Sequence, residues 1–174
     1  MKKNVLLVGG FHKAKLLSIS LIKKGYNITI INEDYKDCLS LAENKSITVI
    51  NGDGTKPYVL EDARAEDNDI AIALTQDDGD NLVICELCKK KFGVKKTVSL
   101  VNDPKKTEFF HKMGINSVVC AINTITSIIE QQAFLDEITT LIPIVDSNII
   151  IAKVLIPQSS PVVEKKNMGN QFTE

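Results

Sequence analysis

The sequence predicts an α/β protein built on an open, doubly wound parallel sheet of six strands. Three observations predict it. Short apolar segments alternate with amphipathic helical ones from Asn4 to Cys120, and glycine-bearing turns separate them. Runs such as VLLV (residues 5–8) and IAIAL (70–74) are apolar throughout, as strands are when helices cover both faces of a sheet. A longer helix and the start of a second, small domain are expected to follow.

The first strand is NVLLV (4–8), and a helix is expected from Ala14 to Lys24 with Leu16, Leu17, Ile19, Leu21 and Ile22 facing inward. Gly25 stops it, as glycine does where the chain must turn left-handed. NITII (27–31) is the second strand, and a short helix runs through DCLSLAEN (37–44). ITVI (47–50) is the third, ending at NGDGT, with a helical turn at YVLEDARA (58–65). DIAIAL (69–74) is the fourth, ending at TQDDGD. A helix from Asn81 to Lys91 stops at Gly93, and KTVSLV (96–101) is the fifth. PKKTEFFHKM (104–113) is a helix closed by Gly114, and NSVVC (116–120) is the sixth strand.

From Asn123 to Leu141 the pattern reads as one long helix. Its apolar positions are Ile125, Ile128, Ile129, Phe134, Leu135 and Ile138, and Pro143 marks its end. NIIIAKVLIPQSSPVVEKK (148–166) then reads as a strand, a Pro/Ser turn and the start of another element. The expected division is a domain over residues 1–141 and a linker with an incomplete second domain over 142–174.

At 174 residues the chain fits one domain of about 150 residues and a piece of another. A formal net charge of −1 makes nucleic acid a poor partner. The apolar run after MKKN is four residues long, short of the roughly 7–15 of a secretory signal, and no window nears the roughly 18 of a membrane span. A cytoplasmic location is expected, with any membrane role exercised through a partner and without direct insertion. CELC (85–88) lacks a second cysteine pair or a His-x-x-x-His, and it reads as buried helical cysteines rather than a zinc half-site.

The loops after the strands carry the candidate site. In Gly9-Gly10-Phe11-His12-Lys13-Ala14, the first glycine of a dinucleotide-binding turn is present and Ala14 is a tolerated third. Phe11 stands where a second glycine would admit a pyrophosphate. Gly10, the free N–H groups of a helix start, and Lys13 with Lys15 nearby still favour an anion. The bland reading is a degenerate turn that binds nothing.

Asn32 ends the second strand where a carboxylate normally meets ribose hydroxyls. It can hydrogen-bond a hydroxyl without charge assistance, and Glu33 or Asp34 takes over if the register is one residue off. Equally, Asp34 simply caps the next helix. Asp53 and Gly54 after the third strand, and Thr75, Gln76 and Asp77 after the fourth, lie where open α/β sheets bind ligands. Asp53 and Thr75 suit an adenine edge or ribose, Gln76 and Asp77 the phosphates. Asp77, Asp78 and Asp80 read as a solvated acidic loop with Asp80 or Asn81 capping the next helix, more readily than as a cation site. No Tyr-x-x-x-Lys pair or G-x-S-x-G elbow occurs, so dehydrogenase and hydrolase chemistry lack their parts.

In the order VLLVGG, LIKKGYNITIINED, VINGDGT, DIAIALTQDDGDNL, VSLVNDP and MGINSVV, the chain resembles the TrkA-N family, also called RCK or KTN domains, from about Asn4 to Gln132. Its more specific elements are Gly52-Asp53-Gly54-Thr55, the stretch Thr75 to Leu82, and Gly114-Ile115-Asn116. IIIAKVLIPQSSPVVEKK resembles the entry into a TrkA-C domain. The resemblance implies a Rossmann-like regulatory subunit, not an enzyme, that forms homodimers or higher rings. It would bind ATP, ADP, AMP or NAD(H) and report to a membrane potassium-translocating subunit, which would hold it peripherally at the inner membrane. The other classes are a small NAD(P)-dependent oxidoreductase and a ligand-free dimerisation scaffold of the same fold.

Overall fold

The computed structural model describes residues 2–134, 138–143 and 150–154. The chain divides into two compact units, Met1–Thr124 and Ile125–Glu174. In the first unit the order is β1 (Asn4–Val8), α1 (Phe11–Lys23), β2 (Asn27–Asn32), α2 (Tyr35–Ala42), β3 (Ile47–Asn51) and α3 (Pro57–Asp62). Then come β4 (Ile70–Ala73), α4 (Asp78–Glu86) running into a π-helical turn at Leu87–Lys91, β5 (Lys96–Val101), α5 (Thr107–Lys112) and β6 (Ser117–Cys120).

The six strands form one sheet in the order β3-β2-β1-β4-β5-β6, and every pair is parallel. The expected fold class is therefore the observed one. Both faces are apolar. Leu6, Val8, Ile31 and Ala73 pack with Leu60 of α3, Ile84 and Cys85 of α4 and Phe110 of α5. Val5, Leu7, Ile28 and Ile30 pack with Ala14 of α1 and Leu41 of α2. The chain thus changes faces after β3, and the switch point lies between β1 and β4.

Three expectations are corrected here. Helix α1 starts at Phe11 rather than Ala14, and Leu16 and Ile19 are exposed, at 72% and 39%. Five apolar residues at 16, 17, 19, 21 and 22 cannot share one stripe of about 100°. The stripe that packs is Ala14, Leu17, Ser18, Leu21 and Ile22, buried or half-buried. Second, α4 is capped by Asp77, whose carboxylate accepts from the Asp80 N–H, and not by Asp80 or Asn81.

Third, the long helix ends early. Helix α6 covers Ala121–Phe134, and β7 (Ile138–Pro143) pairs antiparallel with β8 (Ile150–Val154). Ile138, Thr139, Thr140 and Ile142 are β-branched and suit a strand. The pairing partner lies beyond any local window. The expected boundary at residue 141 falls inside β7, whereas β8 falls on the strand expected from NIIIAKV. Leu135 and the Pro/Ser turn lie outside the described residues.

Candidate functional site

The parallel register brings the carboxyl ends of β1, β2, β3 and β4 to one edge. Val8 pairs with Ile31 and Ala73, and Asn32 with Asn51. Above that edge opens a crevice of about 830 Å³, within the usual range for small-molecule sites. All twelve residues singled out from the sequence line it. Gly9, Gly10, Phe11, His12 and Lys13 come from the loop after β1, Asn32 and Glu33 from β2, Asp53 and Gly54 from β3, and Thr75, Gln76 and Asp77 from β4. Asp34, Asp37, Thr55 and Asp80 line it as well.

The two glycines shape the first loop. Both have positive φ, 74° at Gly9 and 66° at Gly10. A Cβ on Gly10 would lie 2.3 Å from the Leu74 carbonyl oxygen, so the loop sits flush on the end of β4. The turn is thereby finished within two residues, and Phe11 is already the first residue of α1. No side chain caps this helix, and its first turn holds no acid. Its leading N–H groups therefore keep the partial positive charge of a free helix start. The Phe11 ring packs against the apolar layer beneath α1, 4.8 Å from the His12 ring, with the Lys15 ammonium 5.5 Å from its centroid.

Asn32 is buried, and its Oδ1 accepts the Asp34 N–H at 3.0 Å. Asp34 in turn caps α2, accepting from the N–H groups of Lys36 and Asp37. Of the ribose candidates, Glu33 is exposed and its carbonyl accepts from the Asn51 amide at 2.9 Å, whereas the exposed Asp34 carboxylate is engaged in the α2 cap. Asp53 accepts from the Thr55 hydroxyl at 2.7 Å and N–H at 2.8 Å, with Lys56 at 3.2 Å. The Thr55 hydroxyl foremost, against the opposing effect of burial, holds its carboxyl below the usual range.

Two residues of α4 hold the β4 loop in place. Asn81, fully buried, accepts the Thr75 N–H at 2.9 Å and donates to the carbonyls of Thr75 and Leu100 at 3.2 and 3.0 Å. Asp78 is also buried, which corrects the expectation of a wholly solvated acidic loop. Its carboxylate accepts from the N–H groups of Asn102 and Asp103, at 2.8 and 3.2 Å, and pairs with Lys106 at 3.2 Å. Asn102 donates to the Gln76 carbonyl at 2.8 Å, so the loops after β4 and β5 are clasped together. Neither role was assigned from the sequence, although a lone Asn on an apolar helix face was a signal. The cysteines are free and buried, and burial pushes the Cys85 and Cys88 thiols up to about 12. Among the described residues no cluster could hold a metal ion, and no helix is long and apolar enough to cross a membrane.

Strand order, switch point and an uncapped first helix opening on the crevice define the class: a Rossmann-type domain with a ligand cleft at the carboxyl edge. The chain belongs to the TrkA-N domain family, whose model matches residues 5–121. It is 29% identical over 162 residues to a Trk system potassium uptake protein TrkA homolog of Methanothermobacter thermautotrophicus, covering 93% of this chain and 74% of that one. It is 26% identical to the Trk system potassium uptake protein TrkA of Mycobacterium tuberculosis, over 90% of this chain and 71% of that one.

Solved structures share the fold. The TrkA-N domain of the inner membrane protein ybaL from Escherichia coli superposes with a TM-score of 0.68 at 16% identity, covering 76% of this chain and 98% of that one. GsuK bound to ADP gives 0.65 at 19%, covering 77% and 35%, and the GsuK channel bound to NAD gives 0.63 at 21%, covering 85% and 26%.

Proposed function

We propose that the chain is a regulatory subunit that binds an adenine nucleotide in this crevice and controls potassium transport through a membrane-spanning partner. One observation carries the ligand part: four strand-end loops converge on one cleft beside an uncapped helix start flanked by Lys13. In that cleft Glu33 and Asp53 would take ribose hydroxyls, and the N–H groups of Phe11, His12 and Lys13 would take a phosphate. The acids that line the rest, among them Asp34, Asp37 and Asp77, confine phosphate to that corner by repulsion. The transport part is supported by the family and by relatives named for potassium uptake.

Phe11 narrows the choice of nucleotide. Its Cβ replaces the glycine that lets a diphosphate esterified at both ends lie along the backbone, so we expect ADP, ATP or AMP, whose phosphates are free at one end, to bind more tightly than NAD(H). The exposed isoleucines of α6 would join two copies, with rings formed on the partner. The regulatory domain would end ahead of β7, inside the expected bound at 141, and the hairpin β7–β8 would begin a TrkA-C-like domain. The chain would work in the cytoplasm, at the inner membrane through its partner, and as a sensor rather than an enzyme.

Thermal unfolding with and without nucleotide tests the ligand. Saturation at about 100 times Kd adds roughly 2.7 kcal/mol of stability, and Phe11→Gly should enlarge the response to NADH. Flat melting curves for ADP, ATP and NADH in both proteins would leave only the scaffold. Growth of a deletion strain at low potassium tests the transport role, with a growth defect expected and unchanged uptake counting against it.

A further inference from the structure

A net charge of −1 conceals a concentration of positive charge at the end of the sheet opposite the crevice. Residues 89–96 read KKKFGVKK, with five lysines. Because all six strands are parallel, strand starts and helix ends share that end. The π-helical turn after α4 presents Lys89, Lys90 and Lys91 there, Gly93 (φ 67°) redirects the chain, and β5 starts at Lys96. Lys112 ends α5 nearby.

This corner is fixed by the fold. The Val94 N–H donates to the Cys88 carbonyl at 2.9 Å, closing the turn. The Lys89 ammonium donates to the Gly114 carbonyl, holding the turn against the connection from α5 to β6. Phe92 is half-buried with the Lys91 ammonium 5.2 Å from its ring centroid. Three of these lysines are paired, Lys90 with Glu86, Lys95 with Asp69 and Lys112 with Glu108, so the excess positive charge rests on Lys89, Lys91 and Lys96. The other acids of this end, such as Glu66 and Asp67, lie on the connection from α3 to β4. Lysines near a helix C-terminus offset its dipole, but Lys95 and Lys96 precede a strand and have no such work.

We propose that this basic corner docks on an anionic phospholipid surface. Nucleic-acid phosphates also pair with lysines, but a built site for nucleic acid or a phosphopeptide adds backbone N–H groups at helix starts, and those lie at the crevice end. At the basic end the helices present carbonyls, so attraction acts at longer range and suits a broad, flat charged surface. Each lysine near such a surface contributes about 1 kcal/mol within a Debye length of about 8 Å. The geometry leaves the crevice facing away from the bilayer and open to ligand. The choice of lipid rests on the transport reading, which sets the protein beside a membrane; the charge does not.

Co-sedimentation of the purified full chain with vesicles tests this. The pair should be phosphatidylcholine alone against phosphatidylcholine with about 30 mol% phosphatidylglycerol, at about 50 and about 300 mM salt. Binding should be at least about tenfold stronger on the anionic vesicles and collapse at high salt. Lys91→Gln/Lys96→Gln should weaken it by about tenfold or more, whereas Lys36→Gln/Lys105→Gln, with the same charge change at the other end, should not. Melting curves of both variants establish that they fold, and an ADP titration of the same samples reads the crevice separately. Equal binding to both vesicles, no binding, or equal loss in the two variants would overturn the proposal. So would tighter binding to duplex DNA than to anionic vesicles.

Discussion

Among the described residues Arg64 is the one non-glycine with positive φ, 49°. Its backbone is held there because its carbonyl accepts from the Asp67 N–H at 3.0 Å and the Asn68 amide at 2.9 Å. The left-handed conformation costs an L-residue roughly 1–2 kcal/mol, and glycine avoids most of that. Arg64→Gly should therefore raise the urea midpoint, by about 0.5–1 kcal/mol of stability; a lower midpoint would mean that the exposed guanidinium makes contacts worth more than the strain. Asp78 gives a pH prediction. Burial alone would raise its pKa, but the N–H groups of Asn102 and Asp103 and the Lys106 ammonium outweigh that and lower it. A depressed carboxylate contributes stability above its unfolded pKa of about 4 and loses it as pH falls through the folded value. Asp78→Asn should cost about 2–3 kcal/mol at pH 7, with the gap to wild type closing below about pH 4. A gap of constant size across that range would mean that shape, not charge, makes the clasp.

At the scale of elements, α6 is the one whose apolar side chains find least cover. Ile122, Ile125, Ile128 and Ile129 are 50–60% exposed, and three of them recur at the spacing of one helical face. If they join two copies, Ile125→Glu/Ile129→Glu should convert a dimer to a monomer by light scattering at about ten micromolar; an unchanged mass would move the interface elsewhere. Elements were legible where the signal is local. β1 and β5 have the bounds read from the sequence, because β-branched and apolar residues dominate each run and turn residues close it. Gly9-Gly10-Phe11 reads as part of a longer glycine loop, which delays the expected start of α1 to Ala14, while the packing of Gly10 on Leu74 completes the turn sooner. From the sequence β7 reads as helix because Ile138, Leu141 and Ile142 fit either period, and its partner strand decides. The crevice residues were legible because ligand loops follow strands. The anchoring of Asn81 to Leu100 and of Asp78 to Asn102 was not, since those partners lie 19 and 24 residues away.

For the whole molecule, the parallel sheet would separate the two proposed tasks. Its carboxyl edge gathers the loops, the uncapped helix and six acids into a cleft, and its other end carries the densest positive charge. Thr75 and Gln76 line the cleft, and the Gln76 carbonyl accepts from Asn102 in the loop that leads into α5, so a ligand bound there would reach the edge of the sheet that carries α5 and β6. All of this depends on the cleft taking an adenine nucleotide. The direct test is an amide chemical-shift titration of the purified chain with ADP, repeated with NADH. Saturating shifts should concentrate at Gly9–Lys13, Asn32–Glu33, Asp53–Gly54 and Thr75–Asp77, and ADP should saturate at lower concentration. No shifts at about 5 mM ADP, an affinity weaker than about −3 kcal/mol, or shifts confined to residues away from the cleft, would contradict it.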